Sequence, residues 1–220
     1  MEQDFVGTKR WIRQASPYET YMAEQDLPIH RGTIGFYDIR DLTLAPWKRM
    51  GVQGAFLELN GCGNLQGIHV LQVPGTGAVK PEKHMYEEIF YVLEGRGTTE
   101  IWNGDSENRK QTFEWQAGSL FSPPLNTWHR IVNATSSPAL LLAVNNAPTV
   151  FHLYRTQDAL FNNPYEFKDR YDGRADYFKA HTELGKDPRH AANFSKSTSP
   201  SLFPMQPRSG PYLPICPQRI

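Results

Sequence analysis

Apolar and polar residues alternate with period two through the middle of the chain. Leu65, Gly67, His69, Leu71 and Val73 fall on one face; Gln66, Ile68, Val70 and Gln72 fall on the other. That period predicts a β-strand. Ile89-Phe90-Tyr91-Val92-Leu93 is a β-branched and aromatic run, too apolar for an exposed strand. Glu94-Gly95-Arg96-Gly97 interrupts it, and a strand resumes over 98–102. Asn103-Gly104-Asp105-Ser106 predicts a hairpin turn of type I′, which Asn-Gly favours. Residues 111–115, 119–122, 128–133 and 139–144 predict four further strands. Short strands at roughly ten-residue spacing, parted by Gly and Pro, indicate an all-β antiparallel barrel or sandwich.

The flanks read differently. Residues 1–50 mix Pro, Gly and Trp with short apolar pieces, as an arm packing on the barrel would. The barrel is placed at 51–153 and a C-terminal extension at 154–220. Within the extension, 156–161 predicts a short helix, capped by Thr156 and ended by Pro164. From Asn193 onward Ser and Pro dominate, which predicts extended chain.

Composition narrows the function classes. Hydrophobic residues make up 39% and charged residues 21% of 220, an ordinary globular balance. Lys plus Arg and Asp plus Glu number 23 each, so no basic excess points to nucleic acid. No apolar run approaches the ~18 residues of a membrane span. The start of the chain lacks the apolar core of a signal peptide, and Cys62 and Cys216 stand far apart with no CxxC, so a reducing cytoplasm is expected. Walker A, GxSxG and HExxH patterns are absent, and the glycines of 61–67 have the wrong spacing for a dinucleotide fingerprint.

The candidate chemistry lies in Pro81-Glu82-Lys83-His84-Met85-Tyr86-Glu87-Glu88 and in Pro123-Pro124-Leu125-Asn126-Thr127-Trp128-His129. His84, Glu88 and His129 are two imidazoles and a carboxylate, a set that holds a divalent transition metal on one face and leaves the other open. In a straight strand His84 and Glu88 would stand about 13 Å apart, too far for one ion with bonds of about 2.1 Å. The chain must therefore bend or bulge near 85–87, and His129 must come from a strand across the barrel. Phe90 and Val92 share the parity of Glu88 and should line the interior, whereas Glu87 should face out. His69 shares the parity of Leu71 and Val73, which makes it a pocket candidate. Tyr86 is a candidate proton or hydrogen-bond donor, with plain packing as its alternative. Asn145 and Asn146, ending an apolar strand, can reach the barrel mouth.

This pattern resembles the cupin superfamily of small jelly-roll barrels, over about residues 55–146. The first cupin motif closes with His, three residues, Glu, six residues and Gly, matched by His84, Glu88 and Gly95. The second is matched at each interval by Gly118, Pro124, Asn126, His129 and Asn133. The resemblance implies metal ligation by His84, Glu88 and His129. The chain departs from the family at Glu82, where a first histidine is usual, and at Asn126, where a glycine is usual. The opening glycine falls on Thr76, between Gly75 and Gly77. Glu82 is either a fourth ligand or a displaced neighbour of a bare three-ligand face, and a fourth oxygen donor would favour harder ions such as Mn(II) or Fe(II). A looser resemblance links 162–172, Asn-Asn-Pro-Tyr-Glu-Phe-Lys-Asp-Arg-Tyr-Asp, to a stretch that follows the barrel in some cupin-domain proteins.

The resemblance implies a metal-dependent enzyme, first of all a non-haem Fe(II) dioxygenase acting on a small aromatic or dicarbonyl molecule. Glu82 would serve there as ligand or base. The second expectation is a redox-neutral isomerase, decarboxylase or lyase using Mn(II), Zn(II) or Ni(II), with Glu82 or Tyr86 moving the proton. The third is a ligand-binding barrel without catalysis. A homodimer is expected, with neither a nucleic-acid nor a membrane partner.

Overall fold

The computed structural model describes residues 14–62, 65–104, 110–175 and 177–178. Two sheets carry the fold. In the larger, β3 (Val52–Leu59), β4 (Gly67–Val73), β10 (Ala139–Asn145), β5 (Glu88–Glu94) and β8 (Leu120–Phe121) lie side by side in that order. The smaller has the order β7 (Gln111–Gln116), β6 (Arg96–Trp102), β9 (Trp128–Asn133). This is a jelly roll, and the strands predicted from hydrophobic period all form. The hairpin joining β6 to β7 also forms, but residues 103–110 connect the strands, a longer loop than a two-residue type I′ turn. Asp105 and Ser106 of that turn lie outside the described residues, as does the Ser/Pro-rich stretch after Asn193.

The N-terminal segment does more than pack on the barrel. β1 (Ile29–Thr33) and β2 (Ala45–Trp47) both pair with β3, and β1 runs parallel to it, the one departure from the antiparallel expectation among the described pairs. Ahead of them, α1 (Pro17–Glu24) begins with a capping box: Ser16 Oγ accepts from the Glu19 N–H, and Glu19 accepts from the Ser16 N–H. After β10 the chain enters α2 (Ala147–Tyr154), then α3 (Gln157–Phe161), which the sequence anticipated from Thr156.

β4 reads as a half-buried strand in sequence, yet both of its faces are covered. Its inner face (His69, Leu71, Val73) meets Phe56, Phe90, Val92 and Ile131 between the sheets. Its outer face (Ile68, Val70) lies with Leu57 and Leu140 under Phe36, Ile39, Leu42 and Leu44. Burial of each large apolar side chain contributes about 1.5–3 kcal/mol. Tyr18, Tyr21 and Met22 of α1 join Phe151 of α2 and Leu160 of α3 at one end of the main core. The same elements close the site described next.

Candidate metal centre

Two strands and the segment that leads into β5 deliver the site residues. Glu88 opens β5, and its neighbours Phe90 and Val92 continue inward into the core, as parity required. His129 is the second residue of β9, in the other sheet. Glu82 pairs directly with His129 across an isolated antiparallel bridge: the Glu82 N–H donates to His129 O at 3.0 Å and the His129 N–H to Glu82 O at 2.8 Å. The separation of these two side chains is thus set by backbone hydrogen bonds. Between Glu82 and Glu88 the chain bends at Met85 and Tyr86, where the Met85 N–H donates to Leu160 O at 2.9 Å. The bend brings His84 Nε2 to 3.2 Å from Glu88 Oε2, against the about 13 Å of a straight strand.

Donor atoms of Glu82, His84, Glu88 and His129 all lie within 4.8 Å of one another, and all four side chains are buried. Donors around an ion at about 2.1 Å lie at most about 4.2 Å apart, so small inward shifts suffice to load it. Glu82 thus stands close enough to the other three to join them around an ion.

The tautomers are fixed. His84 Nδ1 lies 2.8 Å from the Tyr86 carbonyl oxygen, and His129 Nδ1 lies 3.2 Å from that of Thr127. A carbonyl oxygen only accepts, so each Nδ1 carries a proton, and in the neutral ring, the form a metal ligand takes, Nε2 presents a lone pair. Those Nε2 atoms are buried without a hydrogen-bond partner, as is Nε2 of His69. A lone pair facing a carboxylate in a dry interior is repulsive unless a metal ion or a ring proton lies between them. The donor set thus fits a divalent ion on its own chemistry.

Each carboxylate turns one oxygen inward and has the other held. Glu88 Oε1 accepts from Asn145 Nδ2 at 2.8 Å and lies 3.7 Å from His69 Nε2, leaving Oε2 toward His84. Glu82 Oε2 pairs with Arg49 Nη1, and Oε1 faces His129 Nε2 at 3.6 Å. Such outer partners orient ligands and tune their basicity. Burial pushes the Glu82 carboxyl upward, but the Arg49 charge and the two imidazoles outweigh it and hold it well below the usual range. Glu88 is also lowered: burial opposes its charge, while His84 and His69 favour it. For His69 burial dominates and pushes the ring downward, so it is neutral. Burial acts the same way on His129, but the adjacent Glu82 carboxylate overcomes it and lifts the ring.

Aromatic rings cover the centre. Tyr86 stacks on His84, centroids 3.8 Å apart and planes 5° from parallel. Phe161 of α3 meets Tyr86 edge-on at 6.2 Å, takes Arg49 over its face at 4.0 Å, and touches Tyr21 of α1 at 5.7 Å. Burial raises the Tyr86 phenol well above its ordinary value, so it remains protonated. A surface groove of about 640 Å³, bordered by Ser16, Glu24, Phe151 and Arg155, contains none of the four donors.

Asn126 adopts the left-handed backbone (φ 56°) that the usual glycine would take, and its N–H donates to His84 O at 3.1 Å. Its Nδ2 donates to Tyr165 O at 2.6 Å. The stretch 162–172 therefore buttresses the turn that steadies His84. Tyr171, within it, is buried and donates to Ile101 O at 3.3 Å. Sequence reading anticipated the reach of Asn145 but missed Arg49 and the aromatic cover. Neither period nor motif marks Arg49, which lies in the loop between β2 and β3.

Residues 68–145 match the cupin domain family model. Among curated proteins none matches the chain. Of solved structures, oxalate decarboxylase of Lactobacillus farciminis, in a formate complex, is 20% identical with a TM-score of 0.42, over 50% of this chain and 32% of that one. The plu4264 protein of Photorhabdus luminescens is 18% identical with a TM-score of 0.43, over 57% and 98%. A predicted oxalate decarboxylase of Thermotoga maritima is 22% identical with a TM-score of 0.42, over 51% and 98%. The chain thus spans about a third of the first of these.

Proposed function

From the match of residues 68–145 to the cupin domain family model, we propose that this chain is a metal-dependent enzyme acting on a small oxygen-bearing molecule. Glu82, His84, Glu88 and His129 would hold the ion. The observation that carries this reading is the pair of buried, unpartnered Nε2 lone pairs aimed at two carboxylates. Two nitrogen and two oxygen donors suit Fe(II) or Mn(II), with Zn(II) and Ni(II) as the softer alternatives. When bound, the ion supplies Lewis-acid or oxygen chemistry. The protein supplies the rest: Asn145 and Arg49 orient the carboxylates, the Tyr86 and Phe161 rings exclude water, and the Tyr86 phenol stays protonated and able to donate.

The first reaction class is that of a non-haem Fe(II) dioxygenase on a small aromatic or dicarbonyl substrate, with His69, Phe90 and Val92 behind the donors. The second class is redox-neutral, a decarboxylase, isomerase or lyase, with the ion as Lewis acid and Glu82 or Tyr86 moving the proton.

Elemental analysis of protein purified without chelators or a histidine tag, followed by assays with and without oxygen, tests this. Near-stoichiometric iron with strictly aerobic turnover supports the first class. Manganese, zinc or nickel with full anaerobic turnover supports the second. A protein that takes up no ion is a binding barrel, and the proposal fails.

A further inference from the structure

We infer that Arg49 is the anion-recognition group of this site, and that the substrate carries a carboxylate or equivalent monoanionic oxygen group. The inference rests on the metal reading above and adds the substrate's charge.

Charge balance is the first support. The buried set holds two carboxylates, Glu82 and Glu88, and one guanidinium reaching in from the loop after β2. The imidazoles are ligands and count as neutral. A divalent ion therefore leaves the site one positive charge in excess, in surroundings where an unbalanced charge is costly. A monoanion makes the site neutral; a neutral substrate does not. Lys80, Lys83 and Arg130, the cations nearest the donors along the chain, do not serve: Lys80 donates to Lys48 O at 2.8 Å, Lys83 lies over the Trp128 ring at 5.3 Å, and Arg130 pairs with Glu100 at 2.8 Å.

Geometry is the second support. Among the described residues the hydrogen bonds of Arg49 all leave from Nη1, to Glu82 and to Met50 Sδ. Nε and Nη2 are left to donate, and a planar fork suits a carboxylate. The guanidinium carbon lies 4.0 Å from the centroid of the Phe161 ring, a packing contact that limits its movement. The side chain is 24% exposed, against 8% for Glu82, so Arg49 stands between the donor set and solvent. It is one carboxylate group away from the atoms that would hold the ion.

Lactate and lactamide test this, since they match in size and differ in charge. The protein is loaded with Mn(II), and displacement of metal-bound water is followed by proton relaxation as each is titrated. Lactate is expected to bind at least about tenfold tighter than lactamide, the factor one charge-assisted hydrogen bond supplies. Arg49→Met should erase that preference while Mn(II) stoichiometry persists. Equal affinity of the wild-type protein for the two overturns the inference, whatever the variant's ability to fold. So does an Arg49→Met protein that retains both Mn(II) and the preference. Failure of the wild-type protein to take up Mn(II), Fe(II), Zn(II) or Ni(II) overturns the metal reading itself, and the inference with it.

Discussion

Each donor residue depends on one named partner, and the partners make separable predictions. Replacing Asn145 with Leu leaves Glu88 Oε1 without its 2.8 Å donor while keeping the side chain's bulk. Metal affinity should fall about 10–100-fold, as losses of outer hydrogen-bond partners do, with circular dichroism unchanged. His84→Ala should abolish stoichiometric metal and activity together; a variant that keeps both would refute the donor assignment. The carboxylates predict a pH dependence. Both Glu82 and Glu88 lie below their ordinary value of 4.5 in the folded protein. Their contribution is therefore present above about pH 4.5 and is lost as pH falls toward the folded values. Urea denaturation of metal-free protein at pH 6, 5 and 4 should show stability falling most steeply below about pH 5, and Glu82→Gln should flatten that fall.

Strands set the positions that residues alone do not. Gly67 of β4, Asn145 of β10 and Glu88 of β5 stand side by side across three strands. A Cβ on Gly67 would collide with Asn145 Oδ1 and come within 2.7 Å of Tyr18 Oη. Gly67→Ala should therefore destabilise by about 1–3 kcal/mol and weaken metal binding as well, because Asn145 must move off Glu88. Thermal melts and metal titration of one variant check both effects. β4 was legible from its period of two and β5 from its β-branched and aromatic run, although Ile89 and Tyr91 within that run are exposed. The bend at 85–86 was legible only by necessity, from the distance between His84 and Glu88. α1 carried a readable signal, Ser16 followed by Glu19 three residues on, within a segment rich in Pro, Gly and Trp. The second covered face of β4 left no local mark, since it depends on residues 36–44 folding over it. Arg49 was illegible for the same reason: its role comes from Glu82, 33 positions away.

At the scale of the molecule, the site ties the two sheets together. Glu88 belongs to the larger and His129 to the smaller. An ion bound there stabilises only the stacked arrangement, by about 2.7 kcal/mol when free metal is 100 times the dissociation constant. For a chain of this size that is a rise in Tm of about 5–10 °C, lost on chelation; an unchanged Tm would argue against a bridging ion. No described helix is long and apolar enough to cross a membrane. The homodimer expected from family resemblance remains a proposal. Ile89, Tyr91 and Leu120 offer an exposed apolar patch on β5 and β8 for it. Light scattering at micromolar concentration should give twice the chain mass, and a clean monomer would remove the suggestion.

The bridge between Glu82 and His129 also sets an order of events. His84 and Glu88 are near neighbours along the chain, so an ion can meet two donors while most of the protein is still unfolded. The other pair comes together only when segments 47 positions apart have zipped across β9. Capture of metal during refolding should then be biphasic. A weak, rapid phase would be followed by a tight one that keeps time with closure of the sheets, making the ion a clock for the last step of folding.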